Sequence, residues 1–306
     1  MSAVSSTVST LVVSWNNREF LRRCLESAPP GELIVVDNAS TDGSAELVAE
    51  RFPSASLVRL EENVGFAAGV NCAAAGATGD YLLLLHPDAE ATPHAVERLA
   101  AILDEQPTCG AAGGRLLSMT EDPQPDFRAR RLPTLGSLAV DLLLVRRLWP
   151  TNPVSRRADG VDVDPAKPGR VEQLTASCLL VRREAFVQVG GMDDQFSPAW
   201  FEDVDLCRRL QDAGWSIYFV PQAVFRHIGG MSVHTLGRAR QKRLYYRNLE
   251  RYVRKHHGRT AAAALKALLV TGMGLRVAGS VLRADRAGMH AFAGVLGGTI
   301  SGWKHD

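Results

Sequence analysis

Over the first third of the chain, short apolar runs alternate with stretches whose apolar residues recur at helical spacing. Val8 to Ser14 reads as a strand, and Asn17 to Ser27 as a helix with Phe20, Leu21, Cys24 and Leu25 along one face. Leu33 to Val36 and Ser56 to Leu60 are further strands, with a helix from Gly43 to Phe52 between them. A small-residue helix, Gly65 to Ala75, precedes the wholly apolar strand Tyr81 to Leu85. Pro93 to Asp104 reads as a helix with proline in its first turn, and Gly110 to Leu117 as a fifth strand. Apolar strands separated by helices predict an α/β domain with a parallel sheet covered on both faces. Ligands on such sheets sit beyond the carboxyl ends of the strands. The polar segments there are Ser14-Trp15-Asn16, Asp37 to Gly43, Asn63 to Phe66 and His86-Pro87-Asp88.

Thr120 to Arg170 breaks this pattern and holds seven of the 15 prolines. It reads as an excursion from the sheet, with one helix over Thr134 to Leu148 that packs on the domain. Val171 to Val181 returns to a strand, and Arg183 to Val189 is a helix ending at Gly190-Gly191. In Trp200-Phe201-Glu202-Asp203-Val204-Asp205, three carboxylates follow two aromatics at the start of a helix. Acids in a first turn complement the helix dipole, and Asp205 is spaced to pair with Arg208 and Arg209. Trp200 and Trp215 are candidate sugar platforms; Trp215 also reads as the start of a core strand ending at Val220. From Arg238 to Arg259 nine Lys/Arg face one acid, Glu250. Ala261 to Leu282 then reads as a broadly apolar helix. Ala287 to Trp303 lacks Lys, Arg, Asp and Glu but has five glycines and makes a poor span.

The chain has 306 residues and a formal net charge of +2, so it is no general polyanion binder. Its five cysteines are scattered without a CxxC, which fits reduced thiols in a cytoplasmic setting rather than a disulfide framework or a zinc site. No signal peptide is expected, and no apolar run satisfies the roughly 20 residues of a membrane span. The basic stretch around Arg238 to Arg259 is accordingly read as a peripheral contact with anionic headgroups at the inner face of the membrane. A solvated face or a contact with a second copy of the chain is the alternative. No nucleic-acid motif accompanies it, so nucleic acid is not an expected partner.

Neither GxGxxG nor GxxxxGK[ST] is present, which removes the dinucleotide fingerprint and the P-loop. Asp37, at a strand end, is placed to accept from a base N–H or a ribose hydroxyl. Asn38 to Gly43 also reads as an ordinary turn and helix cap. Asp88 is either a helix cap or a ligand for a divalent cation, since Mg²⁺ and Mn²⁺ prefer oxygen.

The ordered segments LVVSWNN, IVVDNASTDGS, NVGFAAGVN, YLLLLHPDAE, ASCLLVRREAFVQVGGMDDQF, WFEDVDLCRRLQDAGW and VFRHIGG run from Leu11 to about Gly230. Together they resemble the family-2 glycosyltransferases of the GT-A fold, particularly the bacterial rhamnosyltransferase-like branch. That resemblance implies a GT-A catalytic domain over residues 1–234, with a nucleotide-sugar half to about 117 and an acceptor half after it. Residues 235–306 then form a C-terminal helical appendage. It implies inverting transfer from a nucleotide-sugar donor, L-rhamnose on dTDP, to a hydroxyl of a glycan or polyprenyl-diphosphate-linked acceptor, with Mg²⁺ or Mn²⁺. Carried over by position, Ser14, Asp37, Asn38, Asn63, Gly65, Asn71, His86 and Asp88 line the donor site. On that resemblance Asp88 and His227 serve the metal and Asp203 is the general base; Trp200, Glu202 and Ser177 are read as acceptor contacts from their aromatic, acidic and small side chains. His86 departs from the family, which usually has Asp or Asn there; imidazole is a competent Mn²⁺ ligand and a poorer Mg²⁺ one. Two other activities fit parts of the pattern. A sugar-1-phosphate nucleotidyltransferase would want a glycine-rich basic first loop, and Leu11 to Arg18 has no glycine. A non-catalytic nucleotide-sugar or glycan-binding module would show no donor turnover.

Overall fold

The computed structural model describes residues 6–124, 129–161, 163–229 and 236–303. These fall into two compact units, one within Met1–Arg130, Asp162–Pro198 and Glu202–Ser232, the other within Arg131–Val161, Ala199–Phe201 and Val233–Asp306. The boundary expected at 234/235 lies outside the described residues.

The first unit is built on a sheet of nine strands: β1 Val8–Ser14, β2 Glu32–Asp37, β3 Ser56–Arg59, β4 Tyr81–Leu85, β5 Ala89–Ala91, β6 Cys109–Leu117, β7 Gly169–Val171, β8 Cys178–Arg182 and β9 Ser216–His227. Their order is β3-β2-β1-β4-β8-β6-β9-β5, with β7 also on β9. Its helices are α1 Arg18–Glu26, α2 Ser44–Arg51, α3 Phe66–Gly76 and α4 Ala95–Glu105, followed after the excursion, which supplies α5 to α7, by α8 Arg183–Gln188 and α9 Glu202–Asp212. The alternating side chains of each strand feed two cores. Leu11, Val13, Leu82 and Leu84 pack with α3 and α9 on one face. Val12, Leu83, Leu85 and Leu180 pack with α1 and α4 on the other. The run of small residues in α3 has a steric cause: a Cβ on Gly69 would lie 2.7 Å from a methyl of Val13 on β1.

The α/β expectation holds, but the sheet is mixed. β1, β2, β3 and β4 are parallel, whereas β8 runs antiparallel between β4 and β6. A strand buried on both faces has the same apolar pattern in either direction, so periodicity could not reveal the reversal. The strand expected over Val171 to Val181 is two, because β7 pairs with β9 whereas β8 lies between β4 and β6, and residues 172–177 link the two places. Pro93 lies outside α4, whose cap His94 is left-handed at φ 63°. Trp215 precedes β9 and donates to Gln188 Oε1 at 2.8 Å. It sits at the opposite end of a 12-residue strand from His227, roughly 35 Å away, so it is no part of a site at that edge.

The second unit is helical: α5 Leu135–Leu142, α6 Val145–Leu148, α7 Pro153–Ala158, α10 Gly237–Leu282 and α11 Arg286–Ser301. The single helix expected over Thr134 to Leu148 is broken by Leu144, left-handed at φ 63°. The Arg276 guanidinium donates to the last carbonyls of α5, Asp141 O at 2.8 Å and Leu142 O, which satisfies acceptors that a helix end leaves open. α10 is interrupted at Gly258, whose φ of 83° favours glycine. By length and composition it is nevertheless apolar enough to cross a membrane, which corrects the expectation that no segment is. Only 28% of its apolar window is buried.

Candidate active site at the carboxyl edge of the sheet

Four strand ends converge on the site. Ser14 and Asp37 end β1 and β2 and are paired in register. Both are buried, and Ser14 Oγ and Asp37 Oδ1 have no hydrogen-bond partner among the described residues. The other Asp37 oxygen accepts from the Ser40 N–H at 3.1 Å. Asn38 is buried and structural in its contacts: its amide donates to Asn63 Oδ1 at 2.9 Å and accepts from the Val64 N–H at 2.9 Å. Asn63 Oδ1 also accepts from the Gly65 N–H at 2.9 Å. Gly65 has φ 87°, and a Cβ there would meet Ser197 Oγ at 2.6 Å. Asn71 spends both ends of its amide on Met192, donating to its carbonyl and accepting from its N–H at 2.8 Å each.

Beyond β4, His86 and Asp88 meet His227, the last residue of β9, because β5 pairs Ala89 directly with His227. One ligand atom from each of the three lies within 4.8 Å of the others. Asp88 Oδ1 is 3.5 Å from His227 Nε2 and 3.9 Å from His86 Nδ1. Gln124, which no local sequence signal singled out, fixes the His227 ring: its Oε1 lies 3.1 Å from Nδ1, and its amide donates to the His227 carbonyl at 2.7 Å. Burial works to raise the Asp88 carboxyl, but the His227 hydrogen bond and the two imidazoles outweigh it and hold it at about 2. Burial pushes the His86 imidazolium down to about 4, the Asp88 charge opposing. An ionised carboxylate beside a neutral imidazole and the oriented ring of His227 is a donor set that fits a divalent cation.

The Glu202-Asp203 pair opens α9. Asp203 Oδ1 accepts from the Val204 N–H at 2.8 Å, and the Ala176 N–H also bonds this carboxylate. The next residue, Ser177, accepts the His86 N–H on its carbonyl at 2.9 Å. Its buried hydroxyl lies 3.0 Å from that of Thr175. One short backbone segment therefore ties Asp203 and His86 to the same edge. Burial raises the proton affinity of both acids; Asp203 adds to the rise at Glu202, while backbone N–H groups and the Arg130 charge oppose it at Asp203. Glu202 Oε2 is buried and has no hydrogen-bond partner among the described residues. Asp205 is fully buried and pairs with Arg209 at 2.7 Å. Arg209 also donates to the Val189 and Gly191 carbonyls at 2.7 Å. Arg208 pairs with Asp212, at 2.9 Å. Trp200 belongs to the second unit, where its ring lies edge-on to Tyr245 at 6.3 Å and its φ is 71°.

A mixed, mostly parallel sheet with helices on both faces and polar strand ends along one edge is the GT-A fold, and known proteins agree. The chain belongs to glycosyl transferase family 2. That family matches residues 9–158, and the glycosyl transferase family group 2 matches residues 157–299. The chain is 30% identical over 251 residues to an N-acetylglucosaminyl-diphospho-decaprenol L-rhamnosyltransferase of Mycobacterium tuberculosis, covering 77% of this chain and 79% of that one. It is 28% identical over 227 residues to a pre-mycofactocin glycosyltransferase of the same species, covering 72% of this chain and 42% of the other. Among solved structures, a mannosyltransferase of Pyrobaculum calidifontis in complex with GDP-Man and Mn²⁺ superposes with a TM-score of 0.57 at 17% identity, over 97% of this chain and 88% of the other. GalNAc-T7 with UDP, GalNAc and Mn²⁺ gives 0.56 at 18% identity, over 74% and 44%.

Proposed function

We propose that the chain is a metal-assisted, inverting glycosyltransferase that moves L-rhamnose from a dTDP donor to a hydroxyl of a polyprenyl-diphosphate-linked glycan. The observation that carries the sugar-nucleotide reading is the pair of buried oxygens at adjacent strand ends, Ser14 Oγ and Asp37 Oδ1, that have no partner among the described residues. Leaving such atoms unsatisfied costs roughly 1–3 kcal/mol each, a cost that a ligand N–H or hydroxyl removes. The imide N–H of thymine supplies a donor of that kind. The choice of rhamnose and of a lipid diphosphate rests on the name of the mycobacterial relative.

Asp203 would accept the proton of the attacking hydroxyl, and its raised proton affinity brings a carboxylate toward the range useful to a base. Ser177 and Glu202 would orient the acceptor. His86, Asp88 and His227 would hold the divalent cation, whose bound charge stabilises a leaving diphosphate. Two nitrogens in that set favour Mn²⁺ over Mg²⁺. Exposed Arg238, Arg240, Arg254, Lys255 and Arg259 support attachment to the inner face of the membrane, where a polyprenyl acceptor resides.

Calorimetry tests the donor side. We expect dTDP to bind in the presence of Mn²⁺, and Asp88→Ala to remove the metal dependence of that binding. Metal-dependent binding unchanged in the variant would reduce Asp88 to a structural turn residue.

A further inference from the structure

Within the second unit lies a cavity of about 200 Å³. Four of its lining residues are arginines, Arg147, Arg238, Arg276 and Arg283, and its apolar wall includes Leu275 and Phe292. Arg276 is committed to the carbonyls that close α5. Arg238 has Asp285 at 3.6 Å, but that carboxylate also caps α11 through the Gly288 N–H at 2.8 Å. Arg147 and Arg283 are exposed and make no ion pair or side-chain hydrogen bond among the described residues. Burial and the charges of Arg238 and Arg276 together pull the Lys242 ammonium below its ordinary range. Positive charge is thus gathered here beyond what the neighbouring acids balance.

The rim is apolar. Leu148 is 85% exposed, Trp149 56%, Leu275 47% and Leu282 88%. Leu275 and Leu282 are seven residues apart on α10 and share a face; Arg276 and Arg283 do the same one position on. A soluble phosphate would satisfy the guanidinium forks and leave the rim in water. A phosphate carrying hydrocarbon satisfies both, with Trp and Leu at the headgroup level and arginines on the anion.

We propose that this cavity seats the phosphodiester headgroup of an anionic membrane lipid, with Leu148, Trp149, Leu275 and Leu282 entering the headgroup layer. The proposal rests on the reading that the protein attaches peripherally to a membrane and is independent of the sugar it transfers.

Flotation with vesicles of phosphatidylcholine, alone or mixed with phosphatidylglycerol, tests it on the full chain. The wild type should favour the mixed vesicles, and Arg147→Gln with Arg283→Gln should weaken that binding roughly 30-fold. Both residues are exposed, so the double variant should melt with the wild type. A second variant, Arg254→Gln with Lys255→Gln, alters charges of α10 outside the cavity lining. If it loses binding while the Arg147/Arg283 variant does not, attachment survives and the cavity assignment is overturned. Equal binding of the wild type to both vesicle types overturns it as well. So does a thermal shift with inorganic phosphate that the double variant lacks, if vesicle binding is unaffected, because the site then serves a soluble phosphate.

Discussion

At the scale of single residues, the adjacent acids Glu202 and Asp203 carry the sharpest expectations. They titrate as a pair, and burial makes that pair hold a proton longer than free carboxylates would. Asp203→Asn is expected to lower turnover by roughly 10²–10⁴-fold while leaving nucleotide affinity intact. Paired kinetics and calorimetry check this, and near-normal turnover would remove the base assignment. Glu202 leads to a different measurement. Its proton affinity in the folded state lies well above the ordinary 4.5. The neutral form therefore stabilises the fold fully below that value, and the contribution is lost as pH rises through the folded-state value. Glu202→Gln keeps a neutral side chain throughout. Its melting temperature should exceed that of the wild type at neutral and alkaline pH, with the gap closing below about pH 4.5. A gap that persists or widens on acidification would mean the Glu202 carboxyl is not the buried acid described.

At the scale of elements, close approach governs tolerance. Gly69→Val would place a branched side chain on α3 against Val13, where a Cβ alone comes within 2.7 Å. Overpacking of this kind costs about 1–3 kcal/mol, and urea unfolding at constant slope would register it. A variant as stable as the wild type would show that α3 is free to slide on β1. The elements themselves were largely readable, because β4 is an uninterrupted apolar run, β1 is rich in β-branched residues, and α1 carries Leu21, Cys24 and Leu25 at helical spacing. Three things were not. The three-residue β5 is too short to register as a pattern, yet it is what brings Asp88 beside His227. The breaks at His94 and Leu144 depend on left-handed backbone at residues whose type does not demand it. Asn71, expected to line the donor pocket, clasps Met192 across 121 positions of sequence, a contact no local signal encodes. The grouping of His86, Asp88 and His227 was legible only through resemblance to a family, since the residues come from strands far apart in the chain.

At the scale of the whole molecule, the two units are interleaved along the chain rather than strung one after the other. Residues 131–161 pack with α10 and α11, although the strands β7 to β9 come between them in sequence. Ending the chain after Gly229 should therefore leave α5 to α7 without their partners. Limited proteolysis of that fragment is expected to cut within 131–161 at sites the full chain protects; equal resistance in both would show that these helices hold together by themselves. The same interleaving sets a schedule for synthesis. α5 leaves the ribosome more than 100 residues ahead of Gly272 and Arg276, the part of α10 that meets its carbonyl end. At about 5–20 residues per second, that is a wait of roughly 7–26 s. β9, which pairs with β5, β6 and β7, also arrives late, so the sheet is incomplete for most of translation. During that interval Leu142, 3% exposed in the finished fold, is open to whatever apolar surface reaches it first. The nascent chain is therefore most vulnerable to misassociation in its middle third.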